Sequence, residues 1–236
     1  MDAAALAASW AEVAAQVGQM AENPPPSLPR AVFDDAAAGR VGRISSADSA
    51  VGVGLMRVPQ ALVWLSLTDD RLSEDVEGLT EIALEGRWSS PKLLYQRLDM
   101  PWPVQDRHWV LRLRNNTALA LSTGVWERAW RIDNARLAES RERTDPAAFD
   151  GAITMADNTG SWLLVSLDTA DTLAVYQVRV DLGGNIPAEA AEAYTRASMA
   201  SFMRGVEVHA ADVAARYGAG CTPQLGGDGK PIPCLP

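Results

Sequence analysis

Side chains with catalytic or ligating chemistry are sparse in this sequence. The only histidines are His108 and His209. The first falls on the outward phase of a strand-like run and the second on a long helix, where a surface or capping role outweighs catalysis. Asp69-Asp70 ends an apolar helical run; a solvated helix end is the expected reading, ahead of a calcium or catalytic pair. There is no G-x-S-x-G, no phosphate loop and no zinc-ligand cluster. Gly52-Val53-Gly54 lacks the third glycine and the strand–helix setting of a dinucleotide site. No motif calls for a cofactor or a metal. The residue that asks for a polar partner is Arg107. Period two along 107–113 puts Arg107, Trp109, Leu111 and Leu113 on one face, and His108, Val110, Arg112 and Arg114 on the other. The first face is the more apolar and should point inward. A guanidinium there needs a carboxylate, water or a bound polar group. It is either a structural salt bridge at a sheet end or a polar anchor in an apolar cavity.

Cys221 and Cys234 both lie in a Gly- and Pro-rich tail without helix or strand pattern. With no histidine or third cysteine nearby they do not read as metal ligands. A disulfide is the preferred reading and two free thiols the alternative. A disulfide implies an oxidising compartment. The expectation is an exported, periplasmic protein whose signal segment is missing from the sequence, with a cytoplasmic protein as the alternative.

The elements that would position these residues follow from periodicity. Residues 2–22 form an alanine-rich helix with Leu6, Trp10, Val13 and Val17 on one stripe, ended by Pro24-Pro25-Pro26. Strands are expected over Val41–Ser45 and Ala50–Val58, with Gly42, Gly52 and Gly54 weakening them or marking bulges. Pro59 opens a helix carrying Ala61, Leu62, Leu65 and Leu67. Strands follow near 78–84, 92–98 and 107–115. Asn115-Asn116 is a turn, and 119–131 a strand pair broken at Thr123-Gly124. Residues 133–148 form a polar loop, and strands resume near 152–156, 161–167 and 173–181. The longest helix runs from Pro187 to about Tyr217, with Met199, Phe202, Val206, Ala210 and Val213 on one stripe. Such a stripe is mostly packing, although Met199, Phe202 and Met203 also make an adaptable apolar surface suited to a ligand. Trp102, Trp109, Trp126, Trp130 and Trp162 suit core packing or the lining of a pocket.

Three segments carry a resemblance. Tyr95-Gln96 with Met100-Pro101-Trp102-Pro103 and Asp106-Arg107-His108-Trp109-Val110 resembles the central motif of START domains, the steroidogenic-acute-regulatory-related lipid-transfer modules. Val175 to Pro187 resembles their last strand, Gly-rich turn and helix-opening proline; Pro59 to Arg71 resembles their first helix after the opening strands. The three lie in the family's order and span roughly residues 40 to 217. The resemblance implies an α+β helix-grip fold, in which a curved antiparallel sheet wraps around a long C-terminal helix with an apolar cavity between them. It implies a sterol, hopanoid, phospholipid or fatty-acyl ligand, transient membrane contact during exchange, and a 133–148 loop that helps close the cavity. It also suggests Glu81, in Thr80-Glu81-Ile82, as Arg107's partner, with Glu77 or Glu85 as substitutes. The expected ligand set is Glu81, Arg107, Trp102, Trp109, Tyr176, Met199, Phe202 and Met203. A polyketide cyclase or aromatase on the same scaffold is the alternative, and Arg107, Glu81 and Tyr176 are the set it would use. The expected organisation is an N-terminal helix and connector over 1–29, a lipid-binding domain over 30–217 and a tail over 218–236.

The totals bound these readings. The chain has 236 residues, 47% hydrophobic and 22% charged, with a net charge of -9. That is an ordinary globular composition, and the charge disfavours nucleic acid as a partner.

Overall fold

The computed structural model describes residues 1–234 apart from 47, 70–77, 87–90, 185, 187 and 219; within the last helix, 188–198 and 214 are described by backbone alone. Asp70, Glu77 and Pro187 therefore lie outside the described residues.

A nine-stranded sheet forms the centre, in the order β1-β2-β9-β8-β6-β5-β4-β3, with β7 alongside β5. The strands are β1 Gly42–Ser45, β2 Ser49–Met56, β3 Leu79–Glu85, β4 Lys92–Leu98, β5 Arg107–Asn115, β6 Trp126–Ile132, β7 Ile153–Thr154, β8 Asp157–Ser166 and β9 Thr172–Asp181. All pair antiparallel except β7 with β5. The helices are α1 Ala3–Val17, α2 Arg30–Ala37, α3 Gln60–Thr68, α4 Thr117–Thr123, α5 Leu137–Arg141, α6 Pro146–Gly151 and α7 Ala188–Arg216.

Alternation decides which side chains meet. On the inner face Leu94, Trp109, Leu111, Leu113, Trp130, Trp162, Leu164, Ala174 and Val178 form one core with α3 and α7. On the outer face, Val53, Leu55, Leu163, Val165, Leu173 and Val175 pack under α1, α2 and α4. A smaller outer cluster of Leu84, Leu93, Tyr95 and Val110 sits beneath Leu137 and Phe149. The sheet is thus covered on both faces. That is why His108, placed on the outward phase, is not at the surface: it is 3% exposed, tilted against Phe149, with Nε2 bonded to Thr154 Oγ1. Burial and the charge of Arg97 hold its pKa below the usual histidine value.

Four local expectations are corrected. Residues 117–123 form a helix, because the Asn116 side chain caps it by accepting from Leu119 N–H and Gly124 ends it in the left-handed region. Residues 133–148 are not a loop over a cavity; α5 and α6 pack on the outer face, and Asn134 ties them to Val110 and Met155. Gly52 marks no bulge, since β2 pairs with β9 in unbroken register. Instead it admits α7: a Cβ there would lie 2.4 Å from Met203 Sδ. The tail does have strands, β10 Gln224–Leu225 and β11 Pro231–Ile232.

The tail hairpin is held by a Cys221–Cys234 disulfide, by Trp64 Nε1–H donating to Leu225 O at 3.0 Å, and by Gly227 lying flat against Trp126. The disulfide spans a sequence separation of 13. Removing both thiols (Cys221→Ser with Cys234→Ser) should cost about 3 kcal/mol by freeing that loop in the unfolded chain. A urea midpoint that does not move would contradict this.

Candidate functional site

A cavity of about 150 Å³ lies between the inner face, α3 and α7. Its apolar wall comes from Leu79, Leu94, Leu111, Leu113, Trp130, Trp162, Tyr176, Phe202 and Val206. The Tyr176 ring stacks on Trp130 and meets Trp162 and Phe202 with centroids 4.8–5.6 Å apart, forming one aromatic flank. Gly160 makes room for this flank, because a Cβ there would come within 2.5 Å of the Trp130 ring.

The same cavity carries an unusual amount of buried charge. Asp69, Glu81, Lys92 and Arg128 all line it. Asp69 is 3% exposed, Lys92 5% and Arg128 3%. Period two explains their convergence. Lys92, Leu94 and Gln96 share the inner phase of β4, and Trp126, Arg128 and Trp130 that of β6. Asp69 Oδ2 accepts the Tyr217 hydroxyl at 2.6 Å, joining the end of α3 to the end of α7. Glu81 accepts from Gln96 Nε2, and Gln96 Oε1 accepts Trp109 Nε1–H at 2.8 Å. Arg128 Nη1 donates to Asn115 Oδ1 at 2.6 Å, but its Nε–H has no acceptor among the described residues.

Burial acts on both cations. Desolvation brings the Arg128 pKa down to about 10, against a smaller opposing pull from Glu81. Lys92 is lowered to about 7, by desolvation first and by Arg128 second, with Asp69 opposing. Burial also raises the Tyr176 hydroxyl. The sign for stability follows for Lys92. Between pH about 7 and its ordinary value of 10.5, the unfolded chain binds a proton that the folded chain does not, so its contribution rises with pH. Below 7 the folded chain carries a buried ammonium and the penalty is complete. Lys92→Met should therefore stabilise at pH 6 relative to pH 10, by on the order of 2 kcal/mol. An equal effect at both pH values in paired melts would contradict this.

The expected ligand set divides. Glu81, Tyr176 and Phe202 line the cavity. Trp109, Met199 and Met203 are buried in the core around it, the two methionines against Gly52. Arg107 is 1% exposed but serves the backbone. It donates to Leu182 O at 2.6 Å, to Gly183 O at 3.1 Å and to Gln105 O. It has the inward phase, but at the strand's end, where the β9–α7 turn offers carbonyls; the expected pairing with Glu81 is not made. Arg107, Glu81 and Tyr176 consequently do not converge as an acid–base set. Trp102 is 93% exposed. Pro101 and Pro103 carry the chain off the end of the sheet, where neither face can cover it. The loop base is braced by Asp106, which accepts from Met100 N–H and pairs with Arg97 at 2.5 Å. Sequence reasoning missed Arg128 and Lys92. The signal is Trp126-x-Arg128-x-Trp130, a guanidinium flanked in phase by two indoles, and the expected break at Thr123-Gly124 obscures it.

A larger cleft of about 400 Å³ opens to solvent beside the β9–α7 turn. Its charged groups are already engaged: Arg179 with Asp157, Asp181 with Gly183 N–H, and Asp48 with Ser46.

The sheet gripped by α3 and α7 is the helix-grip fold of START-related lipid-transfer domains. Among solved structures, the STAR-related lipid transfer protein of Xanthomonas axonopodis superposes with a TM-score of 0.54 at 17% identity, over 72% of this chain and 91% of that one. Human STARD10 gives 0.55 at 11% identity, over 71% and 65%. Human StAR-related lipid transfer protein 5 gives 0.52 at 13% identity, over 89% and 97%. In sequence, an uncharacterised Pseudomonas aeruginosa protein, PA1579, is 25% identical over 146 residues, 59% of this chain. That match spans 66% of the relative's length, just under two thirds. No family model matches. No helix among the described residues is long and apolar enough to cross a membrane.

Proposed function

We propose that this protein binds a hydrophobic ligand in the inner cavity, anchors its polar end at Arg128, and carries or senses it. The observation that carries the reading is the Arg128 Nε–H, a buried donor without an acceptor among the described residues, in a cavity with an apolar, aromatic wall. A buried donor left unmade costs about 1–3 kcal/mol, so its persistence argues for an acceptor brought by a ligand or by water. The lipid-transfer names of the structural neighbours support the same class of ligand. Apolar burial at about 25 cal/mol per Å² supplies the affinity. The volume favours a single alkyl chain or a compact ring over a sterol, hopanoid or diacyl phospholipid, since pockets for larger ligands run to roughly 300–1,000 Å³. Admitting those would require α7 to move outward.

The disulfide supports an oxidising, exported setting. Trp102 supports transient membrane contact, because an exposed indole on a braced loop suits the headgroup region. Trp102→Ala should weaken binding to lipid vesicles about tenfold while changing stability by less than about 0.5 kcal/mol. Unchanged vesicle sedimentation would remove Trp102 from this role.

Intrinsic fluorescence tests the binding reading, because Trp130 and Trp162 flank the cavity. Decanol should change the emission saturably, and Val206→Phe, which narrows the cavity from α7, should suppress the change. A non-saturating response, equal in the variant, would overturn it.

A further inference from the structure

Lysine is almost absent from this chain: of its 21 basic residues only Lys92 and Lys230 are lysines, and every other is arginine. The two are placed oppositely. The side chain of Lys230 is 73% exposed in the tail hairpin beside Asp228. Lys92 is 5% exposed and lines the cavity on the inner phase of β4, next to Leu94. Where this chain needs a fixed positive charge it uses arginine, which does not deprotonate in proteins; a lysine can. Moreover, the cavity holds a second cation, Arg128, that acts against a charge on Lys92, and outweighs Asp69, which favours the ammonium. A desolvated amine beside another cation is the environment that turns a lysine into a nucleophile.

We infer that Lys92 is a carbonyl-capturing residue, forming a reversible imine with an aldehyde or ketone borne by an aliphatic ligand in the cavity. The inference rests on the binding reading above and narrows it to carbonyl-bearing ligands. In the step, the Nζ lone pair adds to the carbonyl carbon and the C=O π electrons move to oxygen. The two amine hydrogens leave with that oxygen as one water, and a C=N bond remains. No oxidant or reductant takes part, and hydrolysis reverses the step. A supply of neutral amine near pH 7 is consistent with the lowered Lys92 pKa.

The test uses the whole protein with decanal and sodium cyanoborohydride near neutral pH, followed by peptide mapping. Decanol serves as the carbonyl-free competitor, and tryptophan emission reports occupancy of the cavity. The expected result is one decyl group on Lys92, formed about tenfold or more faster than on Lys230, suppressed by decanol and retained in Lys230→Arg. Lys92→Arg and Lys92→Met should both lose it; should either fail to fold, decanol protection of the wild type still decides. Saturable binding of decanol and decanal with labelling only at Lys230 and the amino terminus overturns the imine and leaves the binding reading standing. Failure of both compounds to bind overturns both.

Discussion

Arg128→Met is expected to raise the melting temperature while weakening binding of a polar-headed aliphatic ligand by about tenfold or more. The two effects have one cause. The guanidinium is 3% exposed, bonded at Nη1 to Asn115, and its Nε finds no acceptor among the described residues. Its pKa falls to about 10, so the fold pays for keeping it charged. An apolar side chain of similar length removes the desolvation penalty of that charge, which exceeds what Asn115 and Glu81 return. The same donor is the one the ligand's polar end would use, and a charged hydrogen bond of that kind is worth about 1.5–3 kcal/mol. Calorimetry paired with a decanol titration separates the outcomes. A variant that melts lower and binds equally would show that Arg128 is structural.

Arg107→Leu should do the reverse, destabilising strongly with little direct effect on the cavity. Three backbone carbonyls, at Gln105, Leu182 and Gly183, lose their donor at once. They belong to the chain entering β5 and to the turn between β9 and α7, so the change unties the start of α7 from the sheet. The expected cost is about 4 kcal/mol, a fall in Tm of about 10 °C for a chain of this size. Arg107→Lys should recover only a fraction, because an ammonium cannot reproduce the planar fork. A Tm within about 2 °C of wild type would refute this assignment.

Much of the frame was legible in the sequence because it rests on period. The inward phase of Trp109, Leu111 and Leu113, the proline-opened α3 and the stripe of α7 all follow from spacing. The misassigned details turn on what lies opposite a residue in space. Arg107 and Arg128 have the same phase, and only the end-of-strand position of Arg107, beside a turn rich in free carbonyls, separates a backbone clamp from a cavity cation. Likewise His108 points outward as its phase requires, yet β7 and Phe149 cover it. The segment carrying Phe149 is short and polar enough to read as loop, and the period of 152–156 shows a strand without showing that it lies beside β5. Trp102 misled in the opposite sense: a large indole suggests burial, but two flanking prolines lift it off the sheet.

A cavity that holds a lipid-like ligand can be probed by organic extraction and mass spectrometry of the purified protein after exposure to a total lipid extract. One aliphatic class should be enriched to near one equivalent in the wild type and sharply depleted in Arg128→Met. No species enriched over a control protein would contradict it, and the buried charges would then have to be explained as parts of a closed structural network.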